Sequence, residues 1–343
     1  MNRQIIENSV EASREDLVQL LRNFTPQDLA YANELARRFT DAIFGRSVYV
    51  RGLIEISNIC KNDCYYCGIR RSNAKLERYR LTRAEILDCC RRGYDWGMRT
   101  FVLQGGEDSY LSDDILSELI GAIKDAHPDC AITLSLGERS EDSYRLMLLA
   151  GADRYLLRQE TADREHYARL HPSEMSWEKR VNCLRTLQKL GYQTGCGLMV
   201  GSPGQSMENI ADDLIFMRQL RPAMVGLGPF IPQSDTPFAR EPAGSVELTL
   251  LLLSLVRLML PRVLLPSTTA LNTLSHNGRI QGLKAGANVI MPNLSPPEVR
   301  SKYLLYNHKA SIDDEASHIE QLSSQLQAAN FNIVVDRGDY RAN

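Results

Sequence analysis

The chain has 343 residues, 43% of them apolar, and a formal charge of -2. That length suits one large single-core domain or two smaller ones, and so nearly even a charge balance argues against nucleic acid and against an anionic membrane surface as partners. Its eight cysteines are unevenly placed, which is not the pattern of a disulfide framework.

The opening stretch MNRQIIENSVEASREDLVQLL interleaves acids with apolar residues at helical spacing. It predicts a helical extension over 1–46 and lacks the basic start and long apolar core of a signal peptide, so a cytoplasmic location is expected. SVYVRGLIEIS is then the first of eight strand-like runs, and TFVLQG, AITLSLG, RYLLRQE, QTGCGLMVG, MVGLGPF, LLPSTTA and NVIMPN are the others. Between them lie TRAEILDCCRRGYDWG, SDDILSELIGAIKDAH, SEDSYRLMLLAGA, SWEKRVNCLRTLQKLG and SMENIADDLIFMRQL, amphipathic segments that mostly open on a Ser or Thr cap and several of which close on Gly. LTLLLLSLVRLML carries Arg257 and is about thirteen residues long, short of the ~20 apolar residues a bilayer span needs; it reads as a buried helix. GRIQGLKAG gives the weakest helix signal. Eight strand-helix units over 47–310 predict an α/β fold, a (β/α)8 TIM-type barrel, with a C-terminal helical tail over 311–343 packed on it. A doubly wound open sheet is the alternative, yet no glycine-rich dinucleotide or phosphate loop comes after the first strand.

In that place stands EISNICKNDCYYCGIRR, residues 55–71, with Cys60, Cys64 and Cys67 and no fourth cysteine. Zinc ordinarily takes four ligands, and a distant His or the nearby Asp63 would have to complete the set. An iron-sulfur cube held by three cysteines instead keeps one iron open to a small molecule. Barrel chemistry sits at the C-terminal strand ends, where the sequence places Gln104, Gly105, Gly106 and Glu107, then Ser135 and Glu138, Arg158 and Glu160, Met199 and Gly201, Thr268 and Thr269, and Met291 and Asn293. Taken singly, each also fits an ordinary polar strand end.

The cysteine spacing, Tyr66 directly before the third cysteine and the loop's place after the first strand resemble the signature of radical S-adenosylmethionine (radical SAM) enzymes. The stretches CGIRRSN, RYRLTRAEI, VLQGGEDSY, TLSLGER, GADRYLLRQETA, RVNCLRTLQKLGYQTGCGLMVGSPGQ, MVGLGPFIPQSDTP, LPSTTALNT and GANVIMPN resemble the HydE family of FeFe-hydrogenase maturases over roughly residues 50–310. The resemblance implies a 4Fe-4S cluster on Cys60, Cys64 and Cys67 whose open iron chelates S-adenosyl-L-methionine (SAM), with one-electron cleavage of SAM to methionine and a 5'-deoxyadenosyl radical. It implies that Tyr66, Gly105, Gly106, Glu107, Ser135, Glu160 and Arg180 hold SAM and that Met199 and Gly201 line its pocket. Arg158, Thr268 and Thr269 are then a pocket for a substrate carboxylate, with Gln104, Thr133, Met291 and Tyr303 lining the same cavity.

The implied substrate is a small organometallic or amino-acid-like molecule, in this family a cysteine-bound iron carbonyl-cyanide precursor. The implied partners are a reductant protein, a tyrosine-cleaving maturase and a GTPase scaffold. Residue by residue, alternatives stay open: Arg180 as a surface ion pair, Met291 and Tyr303 as core packing. Arg158 is expected inside an apolar strand, where its charge needs a partner. A methylornithine synthase-like mutase, a non-catalytic iron-sulfur carrier and a zinc-binding barrel are the alternative functions. The last cysteine is Cys196, so a second cluster in the tail is not expected. Cys89, Cys90, Cys130 and Cys183 read as small buried hydrophobes, a scatter that disfavours biotin synthase-like sulfur insertion.

Overall fold

The computed structural model describes residues 1–307 and 315–341. Three helices come first, α1 (Asn2–Glu7), α2 (Arg14–Asn23) and α3 (Pro26–Phe44). Reciprocal capping boxes, Ser13 with Asp16 and Thr25 with Asp28, start α2 and α3 and satisfy amide groups that a helix leaves open. The barrel then runs β1 (Ser47–Val50), β2 (Gly52–Ser57), α4 (Arg83–Asp95), β3 (Thr100–Gly105), α5 (Asp113–Ala126), β4 (Ala131–Ser135), α6 (Glu141–Leu149) and β5 (Arg154–Leu156). It continues with α7 (Arg164–Leu170), α8 (Trp177–Leu190), β6 (Gln193–Val200), α9 (Met207–Leu220), β7 (Met224–Pro229), α10 (Val246–Met259), α11 (Thr269–Leu274), α12 (Gly278–Lys284), β8 (Val289–Ile290) and α13 (Pro297–Arg300). Last come α14 (Glu315–Ala328) and β9 (Asn332–Val334).

Strands β2 to β7 form a parallel sheet in chain order. The ring closes through residues 264–266, which touch β7 at Met224–Leu264 and β8 at Pro266–Val289, and through Leu53–Asn293 beside β2. The expected seventh strand is thus reduced to bridges, since Pro266 has no N–H to donate. The closed ring excludes the open-sheet alternative. The run expected as one strand over 47–57 breaks at Arg51: β1 pairs with β8 and β9, and β2 pairs with β3. Helix α10 is buried from Leu248 to Met259, Arg257 included, and Ser254 on it donates to Asn33 of α3 at 2.8 Å, so the N-terminal extension covers the face that water would otherwise meet. Arg257 spends its donors on the carbonyls of Gly286, Pro261 and Val263 at 2.7–2.9 Å. Among the described residues no helix is long and apolar enough to cross a membrane.

The tail departs from the helical expectation. The boundary expected between residues 310 and 311 lies outside the described residues, and beyond α14 the chain adds β9 in parallel to β1, then crosses the N-terminal mouth of the barrel. There Thr100 Oγ1 and Arg154 Nη2 donate to the Arg337 carbonyl, both at 2.8 Å. Asp339 Oδ1 accepts from Arg154 Nη2 at 2.6 Å and from Gln193 Nε2 at 2.9 Å, and Tyr340 N donates to Gln193 Oε1 at 2.8 Å. Burial works against ionising Asp339, yet the Gln193 hydrogen bond and the Arg154 and Arg337 charges outweigh it and hold its carboxyl at about 2. A depressed carboxyl contributes stability that is complete above its unfolded value of about 3.9 and is lost as pH falls toward the folded value. Asp339→Asn is therefore expected to lower Tm near neutral pH and to converge with the wild type near pH 2; parallel melting curves across that range would contradict it.

Candidate active site

The loop between β2 and α4 carries the three cysteines and is fixed before any ligand is considered. Asn58 Nδ2 donates to the carbonyls of Glu77 and Lys302 at 2.8 and 2.7 Å. Arg78 reaches the carbonyls of Asn58, Ile69 and Arg70 at 2.6–2.8 Å. Asp63 accepts from Arg70 Nε and Nη2 at 2.7 and 2.6 Å and from Ser72 Oγ at 2.6 Å, and the Arg70 guanidinium holds its carboxyl well below the usual range. Asp63 is a brace of the loop, not the fourth ligand that zinc would need. Among the described residues no three His, Cys, Asp or Glu side chains converge as ligands of one metal ion.

Burial pushes the Cys64 thiol well up and the Cys67 thiol up to about 12, the like charges of Cys67 and Cys60 adding to the cost at Cys64 and that of Cys60 to the cost at Cys67. Such thiols become thiolates only against a cationic centre. An iron-sulfur cluster is such a centre, and three desolvated sulfurs on one braced loop fit it. Gly106 gives the loop its closeness: a Cβ there would stand 2.3 Å from the Ile59 carbonyl oxygen and 2.6 Å from Cys60 Cβ. Glu107 N donates to Cys60 Sγ at 3.4 Å, and the half-buried Gly105 ends β3 beside it. The Glu107 carboxylate, buried, accepts from Glu138 N at 2.9 Å and pairs with Lys61 at 3.2 Å, so that side chain ties the loops after β2, β3 and β4 together.

Across the mouth, Tyr66 directs its hydroxyl at Glu160 Oε1 (3.4 Å) and His171 Nε2 (3.3 Å). His171 Nδ1 lies 2.9 Å from the Tyr167 carbonyl, which can only accept, so Nδ1 carries the proton and Nε2 accepts from Tyr66. Burial and the Arg180 charge push His171 down to about 3, keeping it neutral. Met199 packs with Leu170 and Phe230, and Tyr66 and Phe238 lie against them, an apolar wall beside the cysteine loop. Gly201 has φ +75°, and a Cβ there would stand 2.6 Å from Gly244 Cα; Gln205 pins this turn by accepting from Gly201 N at 2.6 Å and donating to the Met199 carbonyl at 3.0 Å. Ser135 ends β4, half-buried, in register with Gln104.

One arginine departs from expectation, and another departs from its surface alternative. Arg180, on α8, is an ion pair but not a surface one: it is 7% exposed, its Nε donates to Glu138 Oε1 at 2.7 Å and its Nη1 to the Arg158 carbonyl at 2.8 Å. Arg158 does not lie inside the strand, because β5 ends at Leu156; its side chain is 32% exposed and pairs with Glu160 at 2.8 Å. The fully buried arginine of β5 is Arg154, at the floor.

Glu160 holds φ +66°, a left-handed conformation that costs a non-glycine residue of order 1–3 kcal/mol and persists only where neighbours over-determine it. Gln159 Oε1 accepts from Gly197 N at 2.8 Å, Glu160 N donates to the Gly197 carbonyl at 3.1 Å, and Asp213 Oδ1, reaching in from α9, accepts from Ala162 N at 2.6 Å. Asp213 is fully buried, and burial pushes its carboxyl well above the usual range, so a neutral amide can replace it. Asp213→Asn is expected to leave the KM for SAM within about twofold. Asp213→Leu, which removes a buried hydrogen bond of ~1–2 kcal/mol, is expected to raise it by about tenfold; equal KM values in steady-state cleavage assays would remove Asp213 from this role.

Below the mouth lies the barrel interior. Thr133 faces it, since Ile132 and Leu134 join the outer core. Thr268 caps α11 without a side-chain cap bond and Thr269 is that helix's first residue, not a strand end. Gln104 Nε2 donates to the hydroxyl of buried Tyr303 at 3.3 Å. Met291 packs with Ala223, Met224, Leu264 and Val289, the core-packing alternative. Cys196 alternates with Gly195 and Gly197 and joins the outer core, as do Cys89, Cys90, Cys130 and Cys183.

Residues 54–217, from β2 into α9, match the radical SAM superfamily. The chain is 44% identical over 306 residues (88% of this chain, 86% of the relative) to the [FeFe] hydrogenase maturase subunit HydE of Thermotoga maritima. It is 30% identical over 319 residues to 3-methylornithine synthase of Methanosarcina acetivorans, covering 92% and 89% of the two chains. The crystal structure of methylornithine synthase (PylB) superposes with a TM-score of 0.85 at 27% identity over 97% of both chains. The maturase HydG from Carboxydothermus hydrogenoformans shares the fold, with a TM-score of 0.82 at 20% identity over 97% of this chain and 78% of that one. A closed βα ring bearing three thiols and no fourth at its C-terminal mouth is therefore the framework of a radical SAM enzyme, which works with a 4Fe-4S cluster and SAM. Within that superfamily the chain belongs to the HydE family of FeFe-hydrogenase maturases.

Proposed function

We propose that the enzyme acts on a small cysteine-bound iron carbonyl-cyanide precursor of the hydrogenase cofactor, held inside the barrel beneath the cysteine loop. The observation that carries this reading is a set of unanswered polar atoms: among the described residues Thr133 Oγ1, Arg158 Nε and Thr268 Oγ1 are buried and have no hydrogen-bond partner. Buried polar groups are rarely left so, and a guanidinium with two hydroxyls suits the carboxylate of an amino-acid-derived ligand. Gln104, Thr269 and Tyr303 stand along the same interior, with Met291 toward its floor.

At the mouth, Cys60, Cys64 and Cys67 hold the cluster. The cluster and SAM together supply one-electron cleavage of a carbon–sulfur bond and a 5'-deoxyadenosyl radical. Tyr66, Met199 and Gly201 form the wall against which an adenine ring packs, and they keep water from the reacting atoms. The backbone of Gly105, Gly106 and Glu107 with Ser135 receives the methionyl ammonium, Arg180 its carboxylate, and Glu160 a sugar hydroxyl. The catalytic unit is the barrel over 47–310, with the flank 1–46 covering its wall and residues 315–341 of the C-terminal flank its floor. Each turnover consumes an electron, so a reductant protein is a partner; a tyrosine-cleaving maturase supplying the precursor and a GTPase scaffold receiving the product complete the set. An oxygen-sensitive cluster on free thiols suits the cytoplasm.

The test is anaerobic reconstitution, reduction and addition of SAM with the precursor, then maturation of apo-hydrogenase. Precursor-dependent 5'-deoxyadenosine and active hydrogenase are expected. Formation of methylornithine would instead favour the mutase, and uptake of about one zinc per chain with no SAM cleavage would sink the radical reading.

A further inference from the structure

The inward-facing positions of β6 and β7 pair as Gly195 with Met224, Gly197 with Gly226 and Met199 with Gly228. The residues between them, Cys196, Leu198, Val200, Val225 and Leu227, belong to the outer core. A barrel of this type normally fills its interior with layers of side chains. Here the middle layer on this side has none, since both of its members are glycine.

These glycines do not have the same cause. Gly197 is forced by its backbone: a Cβ there would stand 2.1 Å from the Gly226 carbonyl oxygen. Gly228 makes room for Thr268, whose Oγ1 would lie 2.8 Å from an added Cβ. Gly226 has neither reason. Its φ is ordinary, and the nearest atoms to an added Cβ are Cys196 O at 3.9 Å and Leu156 Cδ1 at 4.0 Å, so alanine fits without displacement. Glycine inside a strand weakens it and often marks a close approach by a ligand. The interior it faces is the one where Thr133, Arg158 and Thr268 present their unmatched atoms.

We infer that Gly226 is the specificity-determining position that sets the size of substrate the barrel admits: its missing side chain is the room for the bulky end of a ligand whose carboxylate is held by Arg158 and Thr268. This role rests on the proposed substrate. A side chain at 226 points into that room and not into the packed outer core, so it excludes substrate while the framework stays intact.

The graded series Gly226→Ala, Gly226→Val and Gly226→Leu tests it, with Gly121→Ala on α5, where an added Cβ meets nothing within 4 Å, as the control. The full chain is reconstituted with its cluster, and hydrogenase matured and 5'-deoxyadenosine released are measured together, with Tm recorded for each variant. Gly226→Ala is expected to melt at or above the wild-type temperature. Maturation is expected to fall stepwise along the series, by at least tenfold at Leu, while the ratio of 5'-deoxyadenosine to matured hydrogenase rises by at least tenfold. Should the Leu variant fold poorly, the Ala and Val variants carry the same comparison. Wild-type maturation throughout the series overturns the role of Gly226 alone. A wild-type chain that matures no hydrogenase overturns the substrate reading, and this inference with it.

Discussion

A Cys67→Ala chain is expected to keep its fold and lose its chemistry, releasing 5'-deoxyadenosine at least ~1,000-fold more slowly, equivalent to about 4 kcal/mol of barrel-mouth chemistry. The reason is positional. Cys67 lies on a loop whose course is set by Arg78 and by the Asp63–Arg70 pair, so removing one thiol leaves the loop in place. No other cysteine stands by to replace it: Cys196 faces the outer core, and Cys89, Cys90, Cys130 and Cys183 are buried with it. Iron content per chain and the electron paramagnetic resonance of the reduced protein, with and without SAM, read the result directly. An unchanged spectrum that still responds to SAM would mean that the cluster is held elsewhere.

Arg180→Met is expected to have the second largest effect, and to have it twice. Glu138 and Arg180 are both buried, their side chains 7% and 8% exposed, and removing Arg180 leaves the Glu138 carboxylate only the exposed Lys179 at 3.4 Å, so the cost approaches the about 3–5 kcal/mol of breaking a buried pair. The chemical-denaturation midpoint is expected to drop accordingly, and SAM binding to weaken because the cation at the mouth is gone. The double variant Arg180→Met, Glu138→Gln separates the two effects. It is expected to recover much of the stability, since the orphaned charge is removed as well, and none of the affinity for SAM. A double variant that regains both would make Arg180 a structural residue only.

The parts of this molecule that are legible in its sequence are those whose physics is local. Helices α5, α6, α8, α9 and α10 each begin on a serine whose side chain caps the N3 amide, and that signal lies within four residues. The cysteine loop is likewise contiguous, and Gly106 is readable because glycine marks a close approach. The features that escape depend on distant partners. RYLLRQE reads as one run and so puts Arg158 in a strand, but the chain leaves the β4 side after Tyr155 and keeps only its bonds to Gly195 and Gly197. The left-handed Glu160 is set by Gln159 and by Asp213, the latter on a different layer of the fold. His171 gives no signal beyond a histidine just after a short helix; its tautomer comes from the Tyr167 carbonyl. Even β9 is hidden, because FNIVV has strand chemistry but its partner, β1, lies at the other end of the chain.

That last pairing has a consequence for how the molecule is made. Ser47 lies opposite Asn332, and Tyr49 opposite both Val289 and Val334, so the first strand leaves the ribosome with neither neighbour yet synthesised. Closing the ring means bringing together segments nearly the full chain length apart, the kind of non-local step that makes folding slow and leaves unpaired edges exposed meanwhile. Until β8 and β9 have been synthesised, β1 has neither of its partners although the thiol loop is already present, so strand edges and thiols alike are open to aggregation and oxidation over that interval.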